Sequence, residues 1–196
     1  MARTQSENYP EIRREILKKS AAAFARLGYA NATIADLATA NGISRGLLYH
    51  YFESKEMLLA EMLNDHLDML LAEVRAASTR GTDIEQRFRE TIRTMILINA
   101  HSKDLQIVLL HDLQNLKPAD RTSIVRKQKE ILAIVSALIA AYEGGRRIDR
   151  RQLKAHTMML IGMINYTYVW YDPKGPVGPE EYAAMVADTY LRGVRA

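Results

Sequence analysis

Cysteine is absent from the 196 residues, which excludes disulfides and thiolate metal sites and suits a reducing compartment. No stretch approaches the ~20 consecutive apolar residues of a membrane span. The polar opening, Met1-Ala-Arg-Thr-Gln-Ser-Glu-Asn8, lacks the pattern of a signal peptide. A soluble, cytoplasmic protein without a membrane partner is therefore expected. Strand alternation, internal repeats and low-complexity tracts are also missing, so nothing argues for β structure or a solenoid. Charge of one sign is scarce as well: the net formal charge is +4, and residues 1–60 hold eight Lys/Arg against six Asp/Glu. That balance permits a nucleic-acid partner without establishing one. Catalytic patterns are lacking too. There is no phosphate-cradling glycine loop and no Ser/His/Asp order, and Glu61, Asp65 and Asp68 lie at the spacing of a solvated helix face. His101, Asp104 and His111 do not form a tight ligand pair, and a helix break is expected between the histidines. No enzyme activity, cofactor or metal is expected.

What is present is helical, and its densest part is Thr33–Lys55. Thr33 can cap a helix that places Ile34, Leu37 and Ala38 on one face and ends at Asn41-Gly42. Gly42 supplies the positive φ of a tight turn. Ser44 then caps a second helix in which Leu47, Leu48 and Tyr51 can face inward, leaving Arg45, Gly46, Tyr49 and His50 outside. The small Ala38 lets the two helices cross closely. This is helix-turn-helix geometry, whose second helix enters the major groove. Arg45 can bond a guanine edge bidentately, Gly46 allows close backbone approach, and Tyr49 and His50 can reach thymine methyls, base edges or phosphates. Ser54-Lys55 opens another helix, whose N–H groups and Lys55 ammonium suit a phosphate.

Behind this head the helical period continues. A long helix from Ser54 carries Leu58, Met62, Leu63, Leu67, Leu70, Leu71 and Val74 and fades before Gly81. A second begins near Thr82-Asp83, and a third is capped by Ser102. A fourth runs from Pro118 to a stop at Gly144-Gly145. A fifth starts at Asp149, with Gln152 completing a capping box, and continues to about Tyr171; a Pro/Gly loop then leads to a last helix from Glu180. The fold class expected is all-α, with a head over 1–54 and a body over 55–196.

One recognition helix reads few base pairs, so useful affinity requires two heads about one DNA turn apart, roughly 34–36 Å. The last two helices are the candidate dimer face. They carry Met158, Met159, Ile161, Met163, Ile164, Val169 and Trp170, then Tyr182, Met185, Val186 and Tyr190. Polar residues among apolar ones mark a candidate ligand pocket: Met95 and Asn99, His111, Gln114, and Asn165 with Tyr168.

The run Tyr9–Leu59 resembles the DNA-binding domain of the TetR family of bacterial regulators. The matching features are Ile12, Ile16 and Phe24, Leu27-Gly28-Tyr29, Thr33-Ile34, Ala38, Gly42, Ser44, Leu48-Tyr49-His50-Tyr51-Phe52 and Ser54-Lys55-Glu56 with Leu58. The resemblance implies DNA contacts at Thr33, Ser44, Arg45, Gly46, Tyr49, His50 and Lys55, with Tyr51 able to pack inward instead. It also implies a homodimer through the two C-terminal helices, and repression relieved by a small hydrophobic effector. The segment Tyr168-Val-Trp170-Tyr171-Asp172-Pro173-Lys-Gly175-Pro176, followed by Glu180-Glu181-Tyr182, is similar to a branch whose members sense acyl-coenzyme A thioesters. Coenzyme A phosphates would need cations, supplied by Arg121, Arg126, Lys127 and Lys129 or by Arg146, Arg147, Arg150 and Arg151. A multidrug or aromatic-compound sensor, and a helical interaction module without DNA, are the alternatives.

Overall fold

The structure, a computed structural model, describes residues 9–142 and 149–195. These residues form helices joined by short turns, with no strand among them. In chain order the helices are α1 (Tyr9–Leu27), α2 (Ile34–Asn41), α3 (Arg45–Tyr51), α4 (Lys55–Ala77), α5 (Ile84–His101), α6 (Lys103–His111), α7 (Pro118–Ala141), α8 (Arg150–Asn165), α9 (Thr167–Trp170) and α10 (Pro179–Arg195). Among the described residues no helix is long and apolar enough to cross a membrane.

Local chemistry accounts for most boundaries. Thr33 and Asp36 form a reciprocal capping box at the start of α2, with the Thr33 N–H 2.9 Å from the Asp36 carboxylate. Gly42, at φ 68°, ends it: its N–H reaches the Thr39 carbonyl, and the Ile43 N–H reaches that of Ala38, both at 3.0 Å. Ser44, Ser54 and Asp83 cap α3, α4 and α5 by accepting from the backbone three residues on. Ser102 makes no such side-chain bond, so α6 starts at the break after α5 without the expected cap. Asp149 caps α8 through the Arg151 N–H at 3.1 Å. The expected Gly144-Gly145 stop lies outside the described residues, and α7 ends at Ala141.

The sequence period predicts one long helix from Asp149 to about Tyr171, but the helix breaks at Tyr166. The Thr167 hydroxyl donates to the Ile164 carbonyl at 2.7 Å, taking an acceptor that a continuing helix would offer to the Tyr168 N–H. The aromatic run that follows clamps the loop before α10. Tyr171 stacks on Tyr182 at 5.0 Å and donates to the Val177 carbonyl, while Tyr182 donates to the Met163 carbonyl of α8. Within that loop, a Cβ on Gly175 would come to 3.1 Å from the Asp172 carbonyl, which accounts for the glycine.

In the head, Asn41 ties α2 to α1 by donating to the Ser20 hydroxyl at 3.0 Å. Ala38 is buried, as close helix crossing requires. Tyr51 packs inward and stacks on Tyr9 at 4.7 Å. Leu47 does not face inward as the helical period suggests: it is 42% exposed, because Leu48 and Tyr51 alone meet α1 and α2 on so short a helix. In the body, α4 packs on α7 and α5 on α10, where Phe88 is wholly buried and stacks on Tyr190 at 5.5 Å. Helix α1 also packs on α6, so head and body meet along two elements, α4 and α6.

Candidate functional site

The outer face of α3 presents Arg45, Gly46, Leu47, Tyr49 and His50 side by side in solvent, with Tyr49 50% exposed. Ser44 accepts from the Leu47 N–H, which leaves its hydroxyl hydrogen free to donate outward. Gly46 is the second residue of α3, where glycine costs at most the roughly 0.5–1 kcal/mol relative to alanine that applies in the middle of a helix. A Cβ there would meet only the Ser44 hydroxyl, at 3.9 Å, so none of the described residues requires the glycine. The Thr33 hydroxyl is occupied by its own capping box, donating to Asp36 at 2.6 Å and holding that carboxyl below its ordinary range.

Lys55 also has partners within the chain. Its ammonium donates to the carbonyls of Tyr29 (2.8 Å) and Ala32 (3.0 Å) and lies 4.2 Å from the centre of the Tyr29 ring. Two of its three N–H groups are thus committed to the α1–α2 connection, whose carbonyls have no helical partner. These bonds brace the head against the start of α4 and leave the third N–H of the ammonium uncommitted. The same junction holds the Tyr29 hydroxyl 2.9 Å from Glu56, and burial together with that carboxylate pushes the phenol upward. Burial also raises the Asp112 carboxyl at the end of α6, opposed by the Tyr29 backbone N–H that donates to it. Arg13 of α1 pairs with Glu61 of α4 and lies over the Phe52 ring at 4.9 Å.

Between the body helices lies a cavity of about 230 Å³. Its walls are His66, Leu67 and Leu70 from α4, Met95 and Asn99 from α5, and Gln106, Leu109 and Leu110 from α6. Gln128, Ile131 and Leu132 from α7, with Met158, Ile161 and Asn165 from α8, complete it. Of the expected ligand residues, Met95, Asn99 and Asn165 meet there. His111, Gln114 and Tyr168 are not among its walls: His111 is exposed at the end of α6, 3.1 Å from the Tyr168 hydroxyl, and Gln114 donates to the His111 carbonyl. They sit outside because α6 ends at His111 and α9 turns away after Tyr166.

Three polar lining residues escape the sequence reading: His66, Gln106 and Gln128. The signal for His66 is its place on the Met62–Leu70 stripe, four residues from each. His66 is 5% exposed, its Nδ1 has no partner among the described residues, and burial lowers its pKa to about 4. Gln106 donates to the Asn165 carbonyl at 2.9 Å, joining α6 to α8.

The basic clusters are also redistributed. Lys127 is buried and spent on Asp68 (2.6 Å) and Asn64 (2.9 Å). Arg146 and Arg147 lie outside the described residues. The aromatic Tyr168–Tyr171 run lines no part of the cavity.

Of the apolar residues expected at a dimer face, Ile161, Ile164, Val186 and Tyr190 are buried within the chain. Met158, Met159, Val169, Trp170 and Met185 stay 47–64% exposed. The helical period divides them: one stripe of α10 meets α5 and one of α8 meets chiefly α7, while Met159, Val169, Trp170 and Met185 are left in solvent.

Comparison with known proteins places both halves. Residues 16–62 match the family model "Bacterial regulatory proteins, tetR family", and residues 81–194 match "Tetracyclin repressor-like, C-terminal domain". A TetR-family transcriptional regulator from Bordetella parapertussis is 35% identical, with a TM-score of 0.86 over 92% of this chain and 94% of that one. The HTH-type transcriptional repressor KstR2 of Mycolicibacterium smegmatis is 26% identical over 94% of this chain and 92% of its own length. The structure of AibR in complex with isovaleryl coenzyme A and operator DNA superposes with a TM-score of 0.77 at 23% identity, covering 94% of this chain and 98% of AibR. The two family models, which together span most of the described residues, and the exposed α3 face behind its glycine turn lead to one conclusion: this chain belongs to the TetR family of bacterial transcriptional regulators.

Proposed function

We propose that this protein is a transcriptional repressor that binds a palindromic operator as a homodimer and is released by a small hydrophobic effector seated between α4 and α8. The observation that carries the reading is the α3 face. It is an exposed row of Arg45, Gly46, Tyr49 and His50 with a first-turn glycine that none of the described residues requires. Arg45 and Tyr49 would read bases, and Ser44 and His50 would set the register on the backbone, while Thr33, whose N–H and hydroxyl both donate to Asp36, would fix the start of α2. Lys55 would hold the head in place rather than contact DNA itself.

The effector class best supported is an acyl-coenzyme A thioester, on the aromatic-proline segment after Tyr168 and on the same fold holding isovaleryl coenzyme A in AibR. Helix α4 supports the coupling: it begins at the Lys55 brace and lines the cavity with His66, Leu67 and Leu70 three to four turns later. Helix α6 does the same, from Gln106 in the cavity to Asp112 against Tyr29. An effector favouring one placement of these helices needs only about 1–3 kcal/mol of differential affinity to change operator occupancy by one or two orders of magnitude.

The test begins with operator selection from random duplex DNA, followed by gel-shift titration. Arg45→Ala is expected to lose about 1–3 kcal/mol of operator affinity and to relax base preference at one position of each half-site. Gly46→Ala is expected to stabilise the protein by at most about 0.5–1 kcal/mol while weakening operator binding, a sign reversal that separates a DNA role from a structural one. Unchanged selectivity in Arg45→Ala would remove the base-reading assignment.

The dimer reading rests on the exposed stripe of α8. Gly162 sits on it, where an added Cβ would meet nothing within 4 Å, beside Met159, which is 64% exposed. Met159→Glu is expected to shift sedimentation from dimer to monomer at micromolar concentration with the helical circular dichroism intact. A wild-type monomer at that concentration would sink the dimer.

A further inference from the structure

Leu47 stands on the outer face of α3 without joining the core of the described residues. Leu48 and Tyr51 of the same helix enter that core, and Ile34 and Ile43 at either end of α2 pack partly against it, but Leu47 belongs to neither group and is exposed. Its backbone is fixed nonetheless: the Leu47 N–H donates to the Ser44 hydroxyl at 3.1 Å, which sets the first turn. Leu47 is the third residue of α3, and in a recognition helix the first residues are those that reach base edges. Beside it Gly46 has no side chain, so the face is open to close approach at this point. A lone exposed leucine is ordinary on a protein surface. What singles this one out is its company: Arg45, Tyr49 and His50 each carry a hydrogen-bonding group, and Leu47 carries none. In the major groove every base presents a donor or an acceptor, and one group is apolar, the C5-methyl of thymine. A donor or acceptor pressed against leucine would lose its water and gain no partner. The methyl has no such loss, and contact takes both apolar surfaces out of water.

We propose that Leu47 is a specificity-determining residue that reads one thymine in each half-site through its C5-methyl group. Leu47 lies two residues on from Arg45, an axial rise of about 3 Å, close to the roughly 3.4 Å between successive base pairs. The thymine therefore lies within two base pairs of the guanine that Arg45 would take. Leucine here also works against the alternatives, because a G·C pair at that position would set its exposed donor and acceptors against an apolar side chain. The inference rests on the operator-binding reading above and names a base that it leaves open.

Exchanging thymidine for deoxyuridine removes the C5-methyl and nothing else, so it tests the contact one position at a time. In gel shifts of the full chain on its selected operator, deoxyuridine at one symmetric pair of thymines should weaken the wild type about fourfold per half-site, the effect of one methyl group returned to water. In Leu47→Ala the same exchange should change affinity by less than about 1.5-fold. Leu47→Met, which keeps an apolar side chain of similar reach, should retain most of the wild-type discrimination. Leu47→Ala should melt within about 2 °C of the wild type, as an exposed position does. A wild type indifferent to deoxyuridine at every thymine would overturn the assignment. So would a sensitivity that Leu47→Ala retains, since the methyl would then belong to another residue such as Tyr49. A sensitive thymine more than two base pairs from the guanine whose importance Arg45→Ala removes also counts against it. A melting temperature lower by more than about 5 °C in Leu47→Ala does the same, as the mark of a side chain packed into the head. Each of these failures leaves the repressor reading standing. Selection that enriches no duplex at all would remove the repressor reading and the thymine contact together.

Discussion

Lys55→Ala is expected to cost about 2–4 kcal/mol of folding stability, although Lys55 sits at the edge of the DNA-binding head. Two hydrogen bonds from a charged donor to the Tyr29 and Ala32 carbonyls are each worth about 1.5–3 kcal/mol, and partial exposure of the ammonium discounts their sum. Contact with the Tyr29 ring adds a smaller cation–π part. For a chain of this length the melting temperature should fall by roughly 4–16 °C. Lys55→Met should fall nearly as far, since the stem is kept and the donors are lost. A phosphate contact behaves differently: melting would be unchanged, and the slope of log affinity against log salt would drop by about one. Thermal unfolding of the free protein beside salt-dependent gel shifts separates the two, and unchanged melting would refute the brace.

Acid should destabilise the protein before its carboxylates protonate. Burial lowers the His66 pKa to about 4, against 6.5 in the unfolded chain. Between these values the unfolded state binds a proton that the folded state refuses, so unfolding free energy falls as pH falls. The contribution is complete above pH 6.5 and lost by about pH 4, in total about 3 kcal/mol at 1.36 kcal/mol per pH unit. The side chains sharing its cavity from α5, α6 and α7 include Met95, Asn99, Gln106 and Gln128, none of which titrates. Asp36, Glu56 and Asp188 are held below their ordinary carboxyl values, so they act under this window; the raised Asp112 carboxyl acts with the opposite sign and is common to the wild type and to a His66 variant. Urea unfolding from pH 7.5 to 4 should show the decline in the wild type and a much flatter course in His66→Leu. Equal slopes in the two proteins would refute the assignment.

The head is legible because its information is local. Thr33, Gly42, Ser44 and Ser54 act on backbone within three to five residues of themselves, so turn and cap chemistry can be read along the chain. Where a side chain acts on backbone far away in sequence, that reading fails. Lys55 reads as a phosphate ligand at a helix start, and nothing along the chain shows that the fold also brings the Tyr29 and Ala32 carbonyls to it. The break at Tyr166 is a different miss: a local competition for one carbonyl by the Thr167 hydroxyl, which helical periodicity does not register.

The cavity shows the same division more sharply. Met95, Asn99 and Asn165 stand out as polar or adaptable residues among apolar ones, yet His111, Gln114 and Tyr168 carry an equal signal and lie elsewhere. Composition along a helix tells which residues are amphipathic partners and not which of two clefts they border. His66 is hidden by its position in a leucine stripe, where a histidine passes for a packed core residue.

By itself the sequence determined the all-helical class, the helix-turn-helix and the row Arg45, Gly46, Tyr49 and His50 on its outer face, because period, caps and a single glycine turn are properties of neighbouring residues. Only the tertiary structure decided that Lys55 braces the head and that Lys127 is consumed by Asp68. It also decided which stripe of α8 is buried, and that His66, Met95, Asn99 and Asn165 wall one chamber. Those outcomes depend on which charges and carbonyls meet across the bundle. Helix packing sets such meetings over separations of tens of residues, where no local pattern records them.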